Sequence, residues 1–390
     1  MSPLDRFLAL QTVLDTHEDL WRPQPFRGRD LAWRAQRPAL AAVIDALSTA
    51  EVGALEADPA ALQGWIMRQL PSLAGLARLT ALPDLPQRPL LPTGAHFDWG
   101  IPGRKRAQIE AFAAHLQCSE SPLLEWCAGK GHLGRRIAVA DGVAVTSLDI
   151  DVDLTHHCRT LGARAGIAQQ AVCADALTRA ARGHVRGRHV VALHACGELH
   201  RTLVRHADVD DARGYSIAPC CYYRGAGEPY RPLSAAATLA LDANALRLAV
   251  TETVTAAARD RRRTARDQAY KLGFIALREA LTGEADRRFR PVPAAWSGAG
   301  FEAFCRRLAA REQVGLPARI DWGHWEATAW RRHDEVARDS LVRHALRRAL
   351  ELWLAGDLAL ALTAAGFETR MGCFCARELT PRNILIDARR

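Results

Sequence analysis

Glu125, Gly129, Gly131, Asp149 and Asp175 stand in an order that suits the binding of a nucleoside. Glycines at 129 and 131 let the backbone turn sharply and let a flat ligand lie against it, because no Cβ intervenes. A helix beginning just after them presents unpaired backbone N–H groups at its amino terminus. Asp149 comes about twenty residues later, at the end of the next expected strand, where a carboxylate accepts hydrogen bonds from two ribose hydroxyls. Asp175, in Val172-Cys173-Ala174-Asp175-Ala176, follows the third strand and can accept from an adenine amino group. Each acid taken singly reads better as a helix cap. Taken in order, with Cys127 and Ala128 between the first acid and the glycines, they describe an adenosyl pocket at the carboxyl ends of strands.

The glycine loop leaves two cofactor classes open. Gly129-Lys130-Gly131-His132-Leu133-Gly134 also fits the dinucleotide pattern of glycines at the first, third and sixth positions. Glu125 separates the two: a carboxylate inside the strand end repels a pyrophosphate but suits a zwitterion with a free amino group. The expected cofactor is therefore S-adenosyl-L-methionine, with a nicotinamide dinucleotide as the alternative.

Other residue types invite chemistry further along. Cys220 and Cys221 precede Tyr222 and Tyr223, and the two tyrosines suit either stacking on a flat acceptor or burial as core aromatics. Cys127, Cys196, Cys220 and Cys221 all fall at strand ends, so convergence on a metal is a further reading. No Cys-x-x-Cys pair supports it, and no metal is expected. Cys373 and Cys375 share a face of an expected strand and read as core. Of only three lysines, Lys105 and Lys130 lie inside the motif segments, as a compact ammonium facing a carboxylate would require.

The elements that must position these groups follow from hydrophobic periodicity. Phe7 to about Leu82 repeats at three and four positions and predicts a small helical region. Prolines 83, 86, 89, 92 and 102 mark a linker. The boundary is expected near residue 95, giving a helical amino-terminal domain over 1–94 and a catalytic domain over 95–390. Short apolar runs then alternate with helical stretches: Leu123–Cys127, Ala144–Asp149, Ala168–Ala174, Val190–Leu193 and Tyr215–Ala218 as strands, with helices at Leu133–Ala140 and Leu154–Ala163. Strand-like sequence returns at Phe367–Phe374 and Asn383–Ile386. This alternation predicts an α/β fold, a Rossmann-like doubly wound and mostly parallel sheet of about seven strands. Ala235 to about Ala280 is expected to be helical, Pro291–Gly300 a loop, and Leu346–Ala365 an amphipathic core helix.

Composition narrows the function classes. The 390 residues, 49% hydrophobic and 24% charged, exclude a disordered or fibrous chain. The formal net charge of +9 favours an anionic partner only slightly, because arginine dominates the basic residues throughout. The run Arg259-Asp260-Arg261-Arg262-Arg263 accordingly reads first as a solvated helix face. Met1–Leu20 has no uninterrupted apolar core, and no stretch approaches a membrane span, so the expectation is a cytoplasmic protein with reduced thiols and no membrane partner.

Glu125–Gly134, Leu193-His194-Ala195-Cys196-Gly197 and Pro219-Cys220-Cys221-Tyr222-Tyr223 resemble the class I methyltransferase domain of the glutathione S-transferase C-terminal-domain-containing protein and its methyltransferase-like relatives. More distantly they are similar to the tRNA 2'-O-methyltransferases. Ile101-Pro102-Gly103-Arg104-Lys105-Arg106 and Leu379-Thr380-Pro381-Arg382-Asn383-Ile384 fit the same group. Cys127 stands where the loop commonly has glycine, and the zinc-finger cysteines of the tRNA enzymes are absent. The resemblance implies that His194, Cys196 and Gly197 line the pocket at the transferred methyl group. His194 is then a candidate general base, and Lys105, Cys220, Cys221, Tyr222 and Tyr223 are candidate acceptor contacts. The expected activity is methyl transfer to RNA, tRNA or rRNA; a protein or small-molecule acceptor, or a non-catalytic partner-binding module, are the alternatives.

Overall fold

Short apolar runs between helices become strands of one sheet, and a strand forms at every expected place. The computed structural model describes all residues except 95–96, 117–120, 253–256 and 284–288. Strands β1 (Leu123–Trp126), β2 (Val145–Asp149), β3 (Gln169–Cys173), β4 (His189–Cys196), β5 (Gly214–Cys220), β6 (Glu368–Cys373) and β7 (Ile384–Arg389) form one seven-stranded sheet in the order β3-β2-β1-β4-β5-β7-β6. The first five strands run parallel; β7 is antiparallel to both β5 and β6. Every residue of β1 and of β5 is buried. The chain leaves β1 toward β2 on one side and later returns to β4 on the other, so the strand order reverses at β1 and opens a crevice at the carboxyl ends there.

Two helices close one face of β1. Gly103–His115 and His132–Asp141 contribute Ile109, Phe112, Leu133 and Ile137 to a core shared with Leu123, Val145, Val191, Phe374 and Leu385. The carboxyl-terminal segment is tied into the same body. Arg104 Nε and Gln108 Nε2 both donate to the Leu379 carbonyl, at 2.8 and 3.2 Å. Arg382 donates to the carbonyls of Ala249 and Val250 and pairs at 3.0 Å with the buried Glu351. The two segments singled out at opposite ends of the sequence are thus neighbours.

Packing divides the chain into two units. One comprises Met1–Thr16, Ala77–Thr255 and Arg347–Arg390; the other comprises His17–Leu76 and Ala256–Leu346. This differs from the linear division at residue 95, a position outside the described residues. Periodicity marks a helix without saying what it packs against. Phe7, on the first helix Pro3–Thr16, stacks on Trp353 at 5.3 Å, which places that helix in the sheet unit. In the helical unit, Arg34 pairs with Asp45 at 2.8 Å and with Asp339 at 2.6 Å, joining its two sequence segments. Its core is Tyr270, Phe274, Phe301, Phe304, Leu308 and Ala329. Gly273 is required there, since a Cβ would fall 2.5 Å from that of Ala329.

Smaller differences lie in the same region. The expected helix over 235–280 is two helices, Ala243–Leu248 and Ala258–Thr282, and the expected loop at 291–300 contains a 3₁₀ turn, Ala294–Ala299. The helix Arg347–Ala364 is buried on nearly all sides. Among the described residues no single helix is long and apolar enough to cross a membrane.

The turn after β1 is the most constrained part of the sheet unit. Gly131 has φ +67°, and a Cβ on it would lie 2.3 Å from Cys158 Sγ and 2.5 Å from Gln169 Nε2. Gly142 has nearly the same backbone, φ +66°, with nothing within 4 Å. Gly131→Ala is therefore expected to destabilise by about 2–4 kcal/mol, left-handed strain plus overpacking, and Gly142→Ala by about 1 kcal/mol from strain alone. Urea denaturation of both variants checks the difference.

Candidate active site

The crevice at the carboxyl ends of β1, β2 and β4 is a cleft of about 500 Å³. It is lined by Glu125, Trp126, Cys127, Ala128 and Gly129 from the end of β1, Asp149 from β2, and Leu193 and His194 from β4. Pro102, Arg104, Lys105, Gln108 and Ile109 complete the wall from the entry to the helix Gly103–His115, with His132 and Leu133 from the helix after the turn. The sequence reading named Glu125, Cys127, Ala128, Gly129, Asp149, His194 and Lys105 of this set. It did not name Arg104, Gln108 or His132 as site residues, although Arg104 and His132 lie in segments already singled out.

The turn is shaped by alternating left-handed residues. Cys127, Gly129 and Gly131 have φ of +56°, +57° and +67°. Cys127 thus holds a backbone that usually belongs to glycine, at a strain of about 1–2 kcal/mol. Asp149 fixes the turn from the side: its Oδ2 accepts the Gly129 N–H at 2.7 Å, and its Oδ1 accepts the Asp151 N–H at 3.0 Å. Each carboxylate oxygen keeps a further lone pair.

Glu125 is 4% exposed. Burial pushes its carboxyl up to about 7, against the pull of the Ser147 hydroxyl, which donates to Oε2 at 2.8 Å, and of the Gly134 N–H. Gly134 is needed for that approach, since a Cβ would lie 2.6 Å from the same oxygen. His132 is lowered to about 3 and His194 to about 4, both chiefly by burial, so both rings are neutral at pH 7. His194 has φ +63°, where a break in the β4–β5 register between Leu193 and Cys196 re-aims the strand end. The Cys127 thiol is pushed up to about 12 by burial, next by the charge of Asp149, and is no nucleophile at neutral pH.

The remaining sequence-predicted residues fall elsewhere. Gly131 lies in the packed floor of the turn. Asp175 is exposed and accepts the Leu177 N–H at 2.9 Å in a local turn, the following helix being capped by Thr178, and it is not among the residues lining the cleft. Cys196, Cys220 and Cys221 gather apart from the cleft lining, with their Sγ atoms within 4.8 Å of one another, and Cys127 is not in that group. Tyr222 is 1% exposed and packs edge-on to His200, so its ring is core and not a stacking platform. Tyr223 is half-buried with the Arg247 guanidinium 5.4 Å from its ring centre.

Residues 104–226 match the family model of a methyltransferase domain. Over those residues the chain is similar to a methyltransferase domain. The matched span opens on the helix at the cleft wall and closes just after the cysteine pair, so it contains every strand of the crevice. No curated protein sequence matches the chain. Among solved structures it is similar to the cyclopropane synthase MmaA2 from Mycobacterium tuberculosis, at 12% identity over 77% of this chain and 88% of that one, with a TM-score of 0.26, too distant to bear on the site.

Within the matched span the elevated Glu125 bears on stability. The unfolded chain releases this proton near 4.5, whereas the native state holds it to about 7. Stability from this group is full below pH 4.5 and is lost as pH rises through 7, by about 3 kcal/mol. The buried His132 and His200, both lowered, act in the opposite sense, in wild type and variant alike. Glu125→Gln is accordingly expected to gain about 3 kcal/mol on the wild type between pH 4.5 and pH 8, read from urea midpoints across that range.

Proposed function

We propose that this chain binds S-adenosyl-L-methionine in the cleft between the ends of β1, β2 and β4 and transfers its methyl group to RNA. The observation that carries the cofactor assignment is the Asp149 carboxylate, held by Gly129 and Asp151 N–H groups beside a glycine that has nothing within 4 Å of its missing Cβ. Two carboxylate lone pairs against an open glycine wall suit adjacent ribose hydroxyls and a flat base. The buried Glu125 suits an amino group and opposes a pyrophosphate. When bound, the cofactor supplies an electrophilic methyl group on a sulfonium.

The protein's own part is positioning and proton handling. In-line displacement at carbon gains most of its rate from holding the nucleophile opposite the leaving sulfur. His194, neutral at physiological pH and at the wall of the cleft, is placed to accept a hydrogen bond from an acceptor that still carries its proton. Exposed Arg104 and Lys105 on the wall offer positive charge to an anionic acceptor. The net charge of +9, and the exposed Arg259, Arg262 and Arg263 on the helix Ala258–Thr282, support RNA over a neutral small molecule.

Calorimetric titration with S-adenosylhomocysteine tests the cofactor assignment. Asp149→Ala is expected to weaken binding by about 100-fold, the worth of two charge-assisted hydrogen bonds. No binding by the wild type, even with total RNA present, would leave a partner-binding module as the better account, and binding of a nicotinamide dinucleotide instead would end the methyltransferase reading. Incubation with methyl-labelled donor and separated RNA, protein and small-molecule fractions tests the acceptor. Label is expected in the ribonuclease-sensitive fraction; label confined to protein or small molecules contradicts RNA.

A further inference from the structure

Three cysteines that the methyl-transfer chemistry leaves without a role meet at the ends of β4 and β5. Cys196 and Cys220 are register partners on these parallel strands, with Sγ atoms 3.2 Å apart. Consecutive residues of an extended strand point to opposite faces, so Cys221 would ordinarily turn away from Cys220. It does not, because Cys221 adopts φ +44°, a left-handed conformation that non-glycine residues rarely take, and its thiol joins the other two within 4.8 Å. Backbone strain is thus spent on bringing two adjacent thiols to one point.

The turns that carry the thiols are fixed. Gly197 N–H donates to the Cys220 carbonyl at 3.1 Å, Arg224 N–H to the Cys221 carbonyl at 2.8 Å, and Glu198 N–H to the Arg224 carbonyl at 2.9 Å. A Cβ at Gly197 would fall 1.9 Å from that last oxygen, so only glycine lets the two turns close on each other. Cys220 is 4% exposed, while Cys196 and Cys221 are half-buried and reachable. The exposed guanidinium of Arg224 interacts with both Cys196 and Cys221, and that of Arg382 with Cys221; both offset negative charge on the thiols.

We infer that Cys196, Cys220 and Cys221 form a three-thiolate site for a soft divalent cation of the zinc class. Tetrahedral ligation at a Zn–S distance of ~2.3 Å sets sulfurs ~3.8 Å apart; Cys196 and Cys220 stand at 3.2 Å, and all three sulfurs lie within 4.8 Å of one another. The cluster therefore needs only small thiol movements to close on an ion. A disulfide instead needs ~2.05 Å and would leave one of the three thiols over. Three protein ligands leave a fourth tetrahedral position for water or an incoming group. Binding displaces the thiol protons and is therefore favoured by rising pH. The assignment does not depend on which acceptor is methylated.

The test uses the reduced full-length chain, stripped with chelator and titrated with Co²⁺ and Zn²⁺. One Co²⁺ per chain with a sulfur-to-cobalt charge-transfer band in the near ultraviolet is expected, absent in Cys196→Ser and Cys220→Ser and retained in Cys173→Ser. A second readout needs no variant. Zn²⁺ should slow alkylation of Cys196 and Cys221 by tenfold or more, read by peptide mass spectrometry, while the exposed Cys173 reacts as before. Unchanged alkylation with no thiolate band, or a Cys196–Cys220 disulfide forming in place of metal uptake, overturns the inference.

Discussion

The cleft depends on one chain of hydrogen bonds beneath the turn that follows β1. Gln169 on β3 donates through Nε2 both to the Gly131 carbonyl at 2.8 Å and to Ser147 Oγ at 2.9 Å. Ser147 on β2 donates in turn to Glu125 on β1 at 2.8 Å. Three strands and the turn are thereby held in one buried polar network, where an unpaired member would be costly. The space this network occupies is the space that side chains at 131 and 134 would need, which is why both positions are glycine. With the floor fixed, Asp149 can hold the upper turn and keep lone pairs facing the cleft.

Much of this was legible in sequence because the signals were local. The seven expected runs lie at the seven strands within a few residues, most plainly at β1 and β5, which are buried throughout and have little other composition available. The carboxyl-terminal pair, β6 and β7, was found by strand-like sequence over 367–374 and 383–386. Glu125, Gly129 and Asp149 could be named in advance as neighbours in one cleft because the carboxyl ends of adjacent parallel strands meet where the strand order reverses. Ser147 and Gln169 were not, because a short polar residue inside a strand carries no mark of what it will bond. The interleaving of the two units was equally hidden: nothing in Phe7 foretells Trp353, nor in Arg34 foretells Asp339, when contacts lie hundreds of residues apart.

Tyr222 and Asp175 show a second limit. Both stand where the pattern wants a functional group, but burial beside His200 and a local turn absorb them. Sequence names a residue and its neighbours along the chain, and the direction of the side chain is decided by packing. The reverse holds for the cysteines. Their spacing lacked any familiar metal signature, yet the β4 register break and the left-handed Cys221 bring three of them together. The same irregular end of β4 also sets His194 at the cleft, so one deviation from strand geometry serves two groups of residues.

Photo-cross-linking of labelled S-adenosyl-L-methionine to the full-length chain, followed by peptide mapping, tests the central claim most directly. The account predicts label within 123–134, 145–151 or 193–197, competed by S-adenosylhomocysteine and not by a nicotinamide dinucleotide. Label confined to the helical unit, or labelling of the turn that only a dinucleotide suppresses, would contradict it.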